Sequence, residues 1–178
     1  MTSIPAAPAA IHLKPTVTPV PYDHPDARRL TQALRAEQLG LYGFADDPDT
    51  TPDTDFDAPQ GGLFLVARLG ETAVGCGGVR LLDEDTAEIK RMYVSAEARG
   101  NGLGRCLLDL LEGHAASRGA TQIMLETGRL NTSALALYDH NGYRPCPSYV
   151  PGRDKTVNRA MTKQLRGSAG PAASPASA

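Results

Sequence analysis

The chain has 178 residues, enough for one domain that buries about two-thirds of its unfolded surface without disulfide or metal staples. Eighteen basic against twenty acidic residues leave a net charge of −2, which speaks against nucleic acid and anionic membranes as partners. Cys76, Cys106 and Cys146 are odd in number and far apart, so neither a disulfide framework nor a zinc site is encoded, and reduced thiols in the cytoplasm are expected.

Residues 1–10 and 166–178 are small, Pro/Ser/Ala-rich and poor in large apolar groups, so both are expected to be disordered around a single domain over 11–165. The N-terminus has no signal-like apolar segment, and no run approaches the ~18 apolar residues of a membrane span. Ile11 to Val20 alternates weakly and carries Pro15 and Pro19, which suits an edge strand. A helix follows, with Asp23 as its cap, Pro25 in the first turn, Leu30, Ala33 and Leu34 on one face, and Gly40 as its stop. From Gly43 to Gln60 the character changes: six aspartates, three prolines, Phe44 and Phe56 read as a long loop of the kind that lines binding sites.

Leu63–Arg68, Ala73–Leu81 and Ala87–Val94 then read as three strands joined by short turns, an antiparallel meander. Beyond Val94 the period becomes helical, with Leu103, Cys106, Leu107, Leu110, Leu111 and His114 recurring until Gly119. Gln122–Thr127 reads as a strand, Thr132–Asn141 as a short helix stopped by Gly142, and Thr156–Leu165 as a last strand. A helix bridging two strands of one sheet implies a parallel pair, so the fold class expected is α/β with a mixed, mostly antiparallel sheet.

The segment Arg99-Gly100-Asn101-Gly102-Leu103-Gly104 enters the second helix directly. Gly102 and Gly104 cost about 1 kcal/mol each against alanine in a first turn. A phosphate offsets this, because bare backbone approaches an anion closely and the unpaired N–H groups of a helix start point at it. Arg99 and Arg105, cations at the unfavourable end of the dipole, point to the same missing anion. The Walker A pattern fails, since Gly104 is followed by Arg105-Cys106 rather than Lys-Ser/Thr. The dinucleotide pattern fails too, its third glycine falling one residue early.

Arg99-x-x-Gly102-x-Gly104, entered from Glu88-Ile89-Lys90-Arg91-Met92-Tyr93-Val94, resembles the acetyl-CoA signature of the GNAT family of N-acetyltransferases. The resemblance continues through Leu125-Glu126-Thr127, Asn131, Ala136-Leu137-Tyr138 and Asn141-Gly142-Tyr143. It implies the GNAT fold, with a central parallel pair splayed at the acetyl-CoA site and helices flanking the sheet. It also implies transfer of an acetyl group from acetyl-CoA, as co-substrate and without metal, directly to an amine.

By this resemblance Arg99, Gly100, Asn101, Gly102, Leu103, Gly104 and Arg105 hold the pyrophosphate. Met92, Tyr93 and Val94 pair with the pantetheine arm, and the Met92 N–H polarises the thioester carbonyl. Asn131 contacts the arm, and Tyr138 protonates the departing thiolate or packs as a core aromatic. Glu88 matches an offset at which some family members carry a catalytic base, and it reads equally as a strand carboxylate paired with Lys90 or Arg91. Glu126 either binds the substrate amine or pairs with Arg129, the pairing being favoured.

His12, His24 and His114 lack metal spacing, His140 follows Tyr138 on another helix face, and Cys106 is read as core. The expected partner is a small-molecule amine, with the acceptor pocket formed by Leu41–Gln60 and Arg144–Asp154; a homodimer is left open. A protein amine as acceptor and a non-catalytic acetyl-CoA sensor are the alternative readings.

Overall fold

The structure, a computed structural model, describes residues 14–45 and 50–165. The expectations for both termini, for His12 and for Asp46, Asp47 and Asp49 lie outside the described residues. Strand β1 (Pro15–Pro19) has a proline at each end, neither with an N–H to donate, and it takes the sheet edge beside β2 (Leu63–Leu69). Helix α1 (Pro25–Tyr42) buries Ala27, Leu30, Thr31 and Leu34.

Both ends of α1 differ from expectation. His24 is the cap, its Nδ1 accepting from the Asp26 N–H at 3.1 Å, so Asp23 is not. Gly43 at φ +73° ends the helix, with its N–H on the Leu39 carbonyl, and Gly40 lies inside it. One interior glycine costs only about 1 kcal/mol. The added turn carries Tyr42 onto the end of a later strand, where its hydroxyl accepts the Leu130 N–H at 3.1 Å.

The aspartate-rich segment holds two short 3-10 turns, Asp53–Phe56 and Ala58–Gln60. Phe56 drops into the core between Tyr22 and Phe64, with ring centroids 4.9 and 5.5 Å away. Asp53 pairs with Arg28, and Asp55 with Arg80 at 2.5 Å.

Strands β3 (Thr72–Leu81) and β4 (Thr86–Val94) complete the meander. Helix α2 (Leu103–Ser117) returns the chain to β5 (Gln122–Gly128), which runs parallel to β4. Helix α3 (Thr132–His140), a two-residue bridge β6 (Arg144–Pro145) that the sequence did not announce, and β7 (Asn158–Gln164) finish the fold. The sheet order is β1-β2-β3-β4-β5-β7-β6, antiparallel everywhere except at β4-β5.

Each sheet face carries a core. Leu65, Ala67, Val79, Ala87, Ile89, Ile123 and Leu125 pack with Leu103, Leu107, Leu108 and Leu111 of α2. Phe64, Val66 and Cys76 meet Tyr22, Leu30 and Phe56 on the other side. The buried stripe of α2 therefore runs through Leu103, Leu107, Leu108, Leu111 and Ala115. Cys106 and Leu110 are exposed, contrary to expectation. Both stripes obey helical spacing, and spacing alone does not choose between two adjacent faces.

Candidate active site

The site is built at a fork between β4 and β5. Their pairing stops at Ile89 opposite Leu125, and the cause is one extra residue in β4. Cys76 faces Tyr93 and Gly78 faces Lys90, so Gly77 of β3 stands against both Arg91 and Met92. Arg91 sits at φ +59°, the only non-glycine with positive φ among the described residues. Such a bulge bends its strand, and here it swings Met92, Tyr93 and Val94 away from β5. Gly77 leaves room for it, since a Cβ there would lie 2.6 Å from Met92 Sδ. The buried Cys76 thiol lies 3.3 Å from the Arg91 carbonyl, donating to the oxygen that the bulge turns out of the ladder. Burial pushes this thiol up to about 12, so it stays a donor at neutral pH.

The glycine-rich turn faces this fork. Gly100 and Gly102 lie at φ +81° and +75°, and Gly102 caps α2 with no side-chain hydrogen bond. The first bond of the helix is from the Cys106 N–H to the Gly102 carbonyl at 3.0 Å, which leaves the N–H groups of Leu103, Gly104 and Arg105 to an outside acceptor. No protein atom comes within 4 Å of a Cβ built at Gly100 or Gly102, so that side is open backbone. Donors of this kind at a helix N-terminus fit a pyrophosphate.

A cavity of ≈260 Å³ joins these pieces, lined among others by Met92, Val94, Gly102, Gly104, Asn131 and Tyr138. Tyr93, Arg99, Gly100, Leu103 and Arg105 line it as well. Asn101 does not; its Nδ2 reaches the Ala98 and Arg99 carbonyls at 3.3 Å and shapes the turn from behind. Asn131 caps α3, its Oδ1 accepting from the Ala134 N–H at 3.2 Å and from Ser133 Oγ at 3.1 Å. The Asn131 amide nitrogen keeps two donors. Tyr138 is 4% exposed, and burial raises its phenol above the ordinary tyrosine range, so it is a protonated donor at any physiological pH.

Arg99 and Arg105 line the cavity with carboxylate partners of their own. Arg99 already binds the Glu37 carboxylate at 2.5 Å and donates Nε to the Val94 carbonyl at 2.9 Å. Arg105 pairs with Asp109 at 3.5 Å. Glu37, together with Leu34, brings α1 into the cavity wall, which the sequence reading missed. Its signal was position: Leu34 and Glu37 are three apart and share a helix face.

The opposite sheet face carries the two carboxylates. Strand alternation sends Ala87 and Ile89 to α2, and so sends Glu88 and Lys90 to the other side. Glu88 is 2% exposed and does not line the cavity at the fork. It accepts from Arg80 Nε at 2.8 Å, Tyr149 Oη at 2.9 Å and Lys90 Nζ at 3.3 Å. Burial lowers Lys90 against the pull of Glu88. Glu126 pairs with Arg153 at 3.0 Å and accepts from Ser148 at 3.1 Å, so its partner is Arg153 and not Arg129. The 146–157 loop, most of which was expected at the acceptor pocket, is thus fastened to the sheet through Glu88 and Glu126. Beside Glu126 lies a second cavity of ≈70 Å³, lined by Gln38, Tyr42, Phe44, Gly128, Arg153 and Asn158 among others.

The remaining histidines have plain structural roles. His114 Nε2 lies 3.0 Å from the Gly61 carbonyl and His140 Nδ1 2.7 Å from the Ala136 carbonyl.

A forked parallel pair, a bulged strand and an uncapped glycine turn together define a coenzyme-binding acyltransferase fold. A profile described as the Acetyltransferase (GNAT) family matches residues 27–143, and the chain belongs to this family. An IAA acetyltransferase of Azospirillum brasilense is 37% identical over 103 residues, 57% of this chain and 67% of that protein. The N-acetyltransferase YjgM of Escherichia coli is 30% identical over 131 residues, 68% of this chain and 76% of that protein. A crystal structure described as an acyl-CoA N-acyltransferase of Klebsiella pneumoniae superposes with a TM-score of 0.73 at 33% identity, covering 85% of this chain and 98% of that one. The chain is accordingly a GNAT acyltransferase, and acetyl-CoA is its co-substrate.

Proposed function

We propose that the chain transfers the acetyl group directly from acetyl-CoA to the primary amine of a small molecule. The observation that carries this reading is the bulge at Arg91-Met92, which turns Met92 and Val94 out of pairing with β5 beside a cavity that also holds Tyr138 and the open helix start. The amine nitrogen attacks the thioester carbon, and the Met92 N–H holds the oxygen of the tetrahedral intermediate. The C–S bond then breaks, Tyr138 protonates the departing thiolate, and the amine proton leaves to solvent. Tyr138 carries its proton at working pH, burial makes it a weaker acid than an exposed tyrosine, and the tyrosinate left after transfer regains a proton from solvent, where the amine proton was released.

Glu88 is proposed here as a positioning residue rather than the base. Three donors, Arg80, Lys90 and Tyr149, already occupy its carboxylate and tie it to the neighbouring strand and loop. A small acceptor is favoured because the Azospirillum relative is named for IAA. Cytoplasmic residence goes with the same reading.

Tyr138→Phe tests the acid: it should lower kcat about a hundredfold with little change in KM for acetyl-CoA. An unchanged kcat removes Tyr138 from the mechanism. Glu88→Gln should alter KM for the acceptor without abolishing the alkaline rise of the rate; loss of that rise would restore Glu88 as the base.

A further inference from the structure

The bulge in β4 puts Arg91 at φ +59°, a backbone conformation that residues with a Cβ rarely adopt, so neighbouring groups must hold it there. Two residues of β3 do so. Gly77 stands against Arg91 and Met92, and Met92 lies so close over it that a Cβ there would meet Sδ at 2.6 Å. Cys76, the residue before it, sends its thiol to the Arg91 carbonyl at 3.3 Å. The thiol is fully buried in the core that holds Tyr22, Phe64 and Val66, so water does not compete for its hydrogen.

The Arg91 carbonyl shares a peptide plane with the Met92 N–H. In a planar trans peptide the C=O and the N–H point in opposite directions. A thiol on β3 that draws the Arg91 oxygen toward itself therefore turns the Met92 hydrogen away from β3, to the side of β4 from which β5 has departed. Met92 lines the cavity on that side. A hydrogen bond accepted by the carbonyl also polarises the whole amide and makes its N–H a stronger donor. Turning this one plane would leave the cavity walls in place and take the hydrogen out of line with an oxyanion, and hydrogen bonds weaken steeply as they bend.

We infer that Cys76 is a positioning residue for acetyl transfer: through the Arg91 carbonyl, its thiol sets the direction of the Met92 N–H that receives the oxyanion. This inference rests on the acetyl-transfer reading and adds to it a side chain that does not line the coenzyme cavity. A donor aimed at developing charge acts more strongly on the transition state than on bound substrate, so its misdirection is felt in kcat rather than in KM.

The test compares the full chain with Cys76→Ala, which removes the donor, and Cys76→Ser, which keeps one, at neutral pH and below the lowest Tm of the three. It reads kcat and KM for acetyl-CoA with an amine that the wild type turns over, together with Kd for coenzyme A. Coenzyme A lacks the acetyl carbonyl, so its affinity does not depend on where the Met92 N–H points. Cys76→Ala should lower kcat about tenfold, with KM for acetyl-CoA and Kd for coenzyme A within about twofold of the wild type. Cys76→Ser should restore most of kcat, even though both substitutions lower Tm. An unchanged kcat in Cys76→Ala overturns the inference, and so does a Cys76→Ser that is as slow as Cys76→Ala. A fall in kcat matched by an equal loss of coenzyme A affinity shows only a loosened fork, and overturns it as well. In all three cases acetyl transfer by the wild type stands. A wild type that turns over no amine overturns the acetyl-transfer reading, and this inference with it.

Discussion

At the scale of single residues, the most consequential side chains are those that hold others in place. Cys76 is fully buried and spends its hydrogen on the Arg91 carbonyl, the oxygen turned out by the bulge. Its ionisation is raised from 9.0 to about 12, so the stability that depends on the neutral thiol is complete below pH 9 and is lost as pH rises toward 12. Cys76→Ser keeps a donor and removes that titration. Its Tm should therefore fall less than the wild type's between pH 8 and about 11; parallel curves would show that the thiol contributes no such dependence. Glu88 shows where the sequence reading stopped. Its strand and spacing were legible, but its partners Arg80 and Tyr149 lie 8 and 61 residues away, and no local pattern brings a distant loop tyrosine to a strand. Glu126 repeats the point: Arg129 is near in sequence, Arg153 is near in space.

At the scale of elements, the strands and helices follow from their patterns, and the ends do not. The meander, the crossover helix and the parallel pair were all legible, because alternation, helical period and loop length act locally. The bulge was not, since Arg91 has no residue preference that announces φ +59°. The signal for it sits on the neighbouring strand, in Gly75, Gly77 and Gly78. At Gly78 a Cβ would lie 2.6–2.7 Å from the rings of Phe56 and Phe64. Gly78→Ala should therefore destabilise the fold by about 1–3 kcal/mol, seen as a Tm several degrees lower, with KM for acetyl-CoA unchanged in the fraction that remains folded. Gly102→Ala acts differently. No side chain opposes it, but its φ of +75° costs an alanine about 1–2 kcal/mol, and the cap that presents the α2 N–H groups shifts. Its KM for acetyl-CoA should rise more than its Tm falls; an unchanged KM would argue against a pyrophosphate at this turn.

At the scale of the whole molecule, the two faces of one sheet carry different chemistry. The α2 side supplies the open helix start and Tyr138, and the α1 side supplies charged groups fastened to the 146–157 loop. The fork opens where the β4-β5 ladder ends, past Ile89 and Leu125. Acetyl-CoA binding should stabilise the folded chain by about 2.7 kcal/mol at a hundredfold excess over Kd, a Tm rise of several degrees by calorimetry. Binding alone, however, would also satisfy a sensor. The decisive measurement is the release of free thiol from acetyl-CoA in the presence of small amines, followed alongside the mass of the acetylated amine. One acetylated amine formed per thiol released, at a rate far above the protein-free background, is the predicted result. A chain that gains Tm with acetyl-CoA and yet releases thiol no faster than buffer on every amine offered would contradict it.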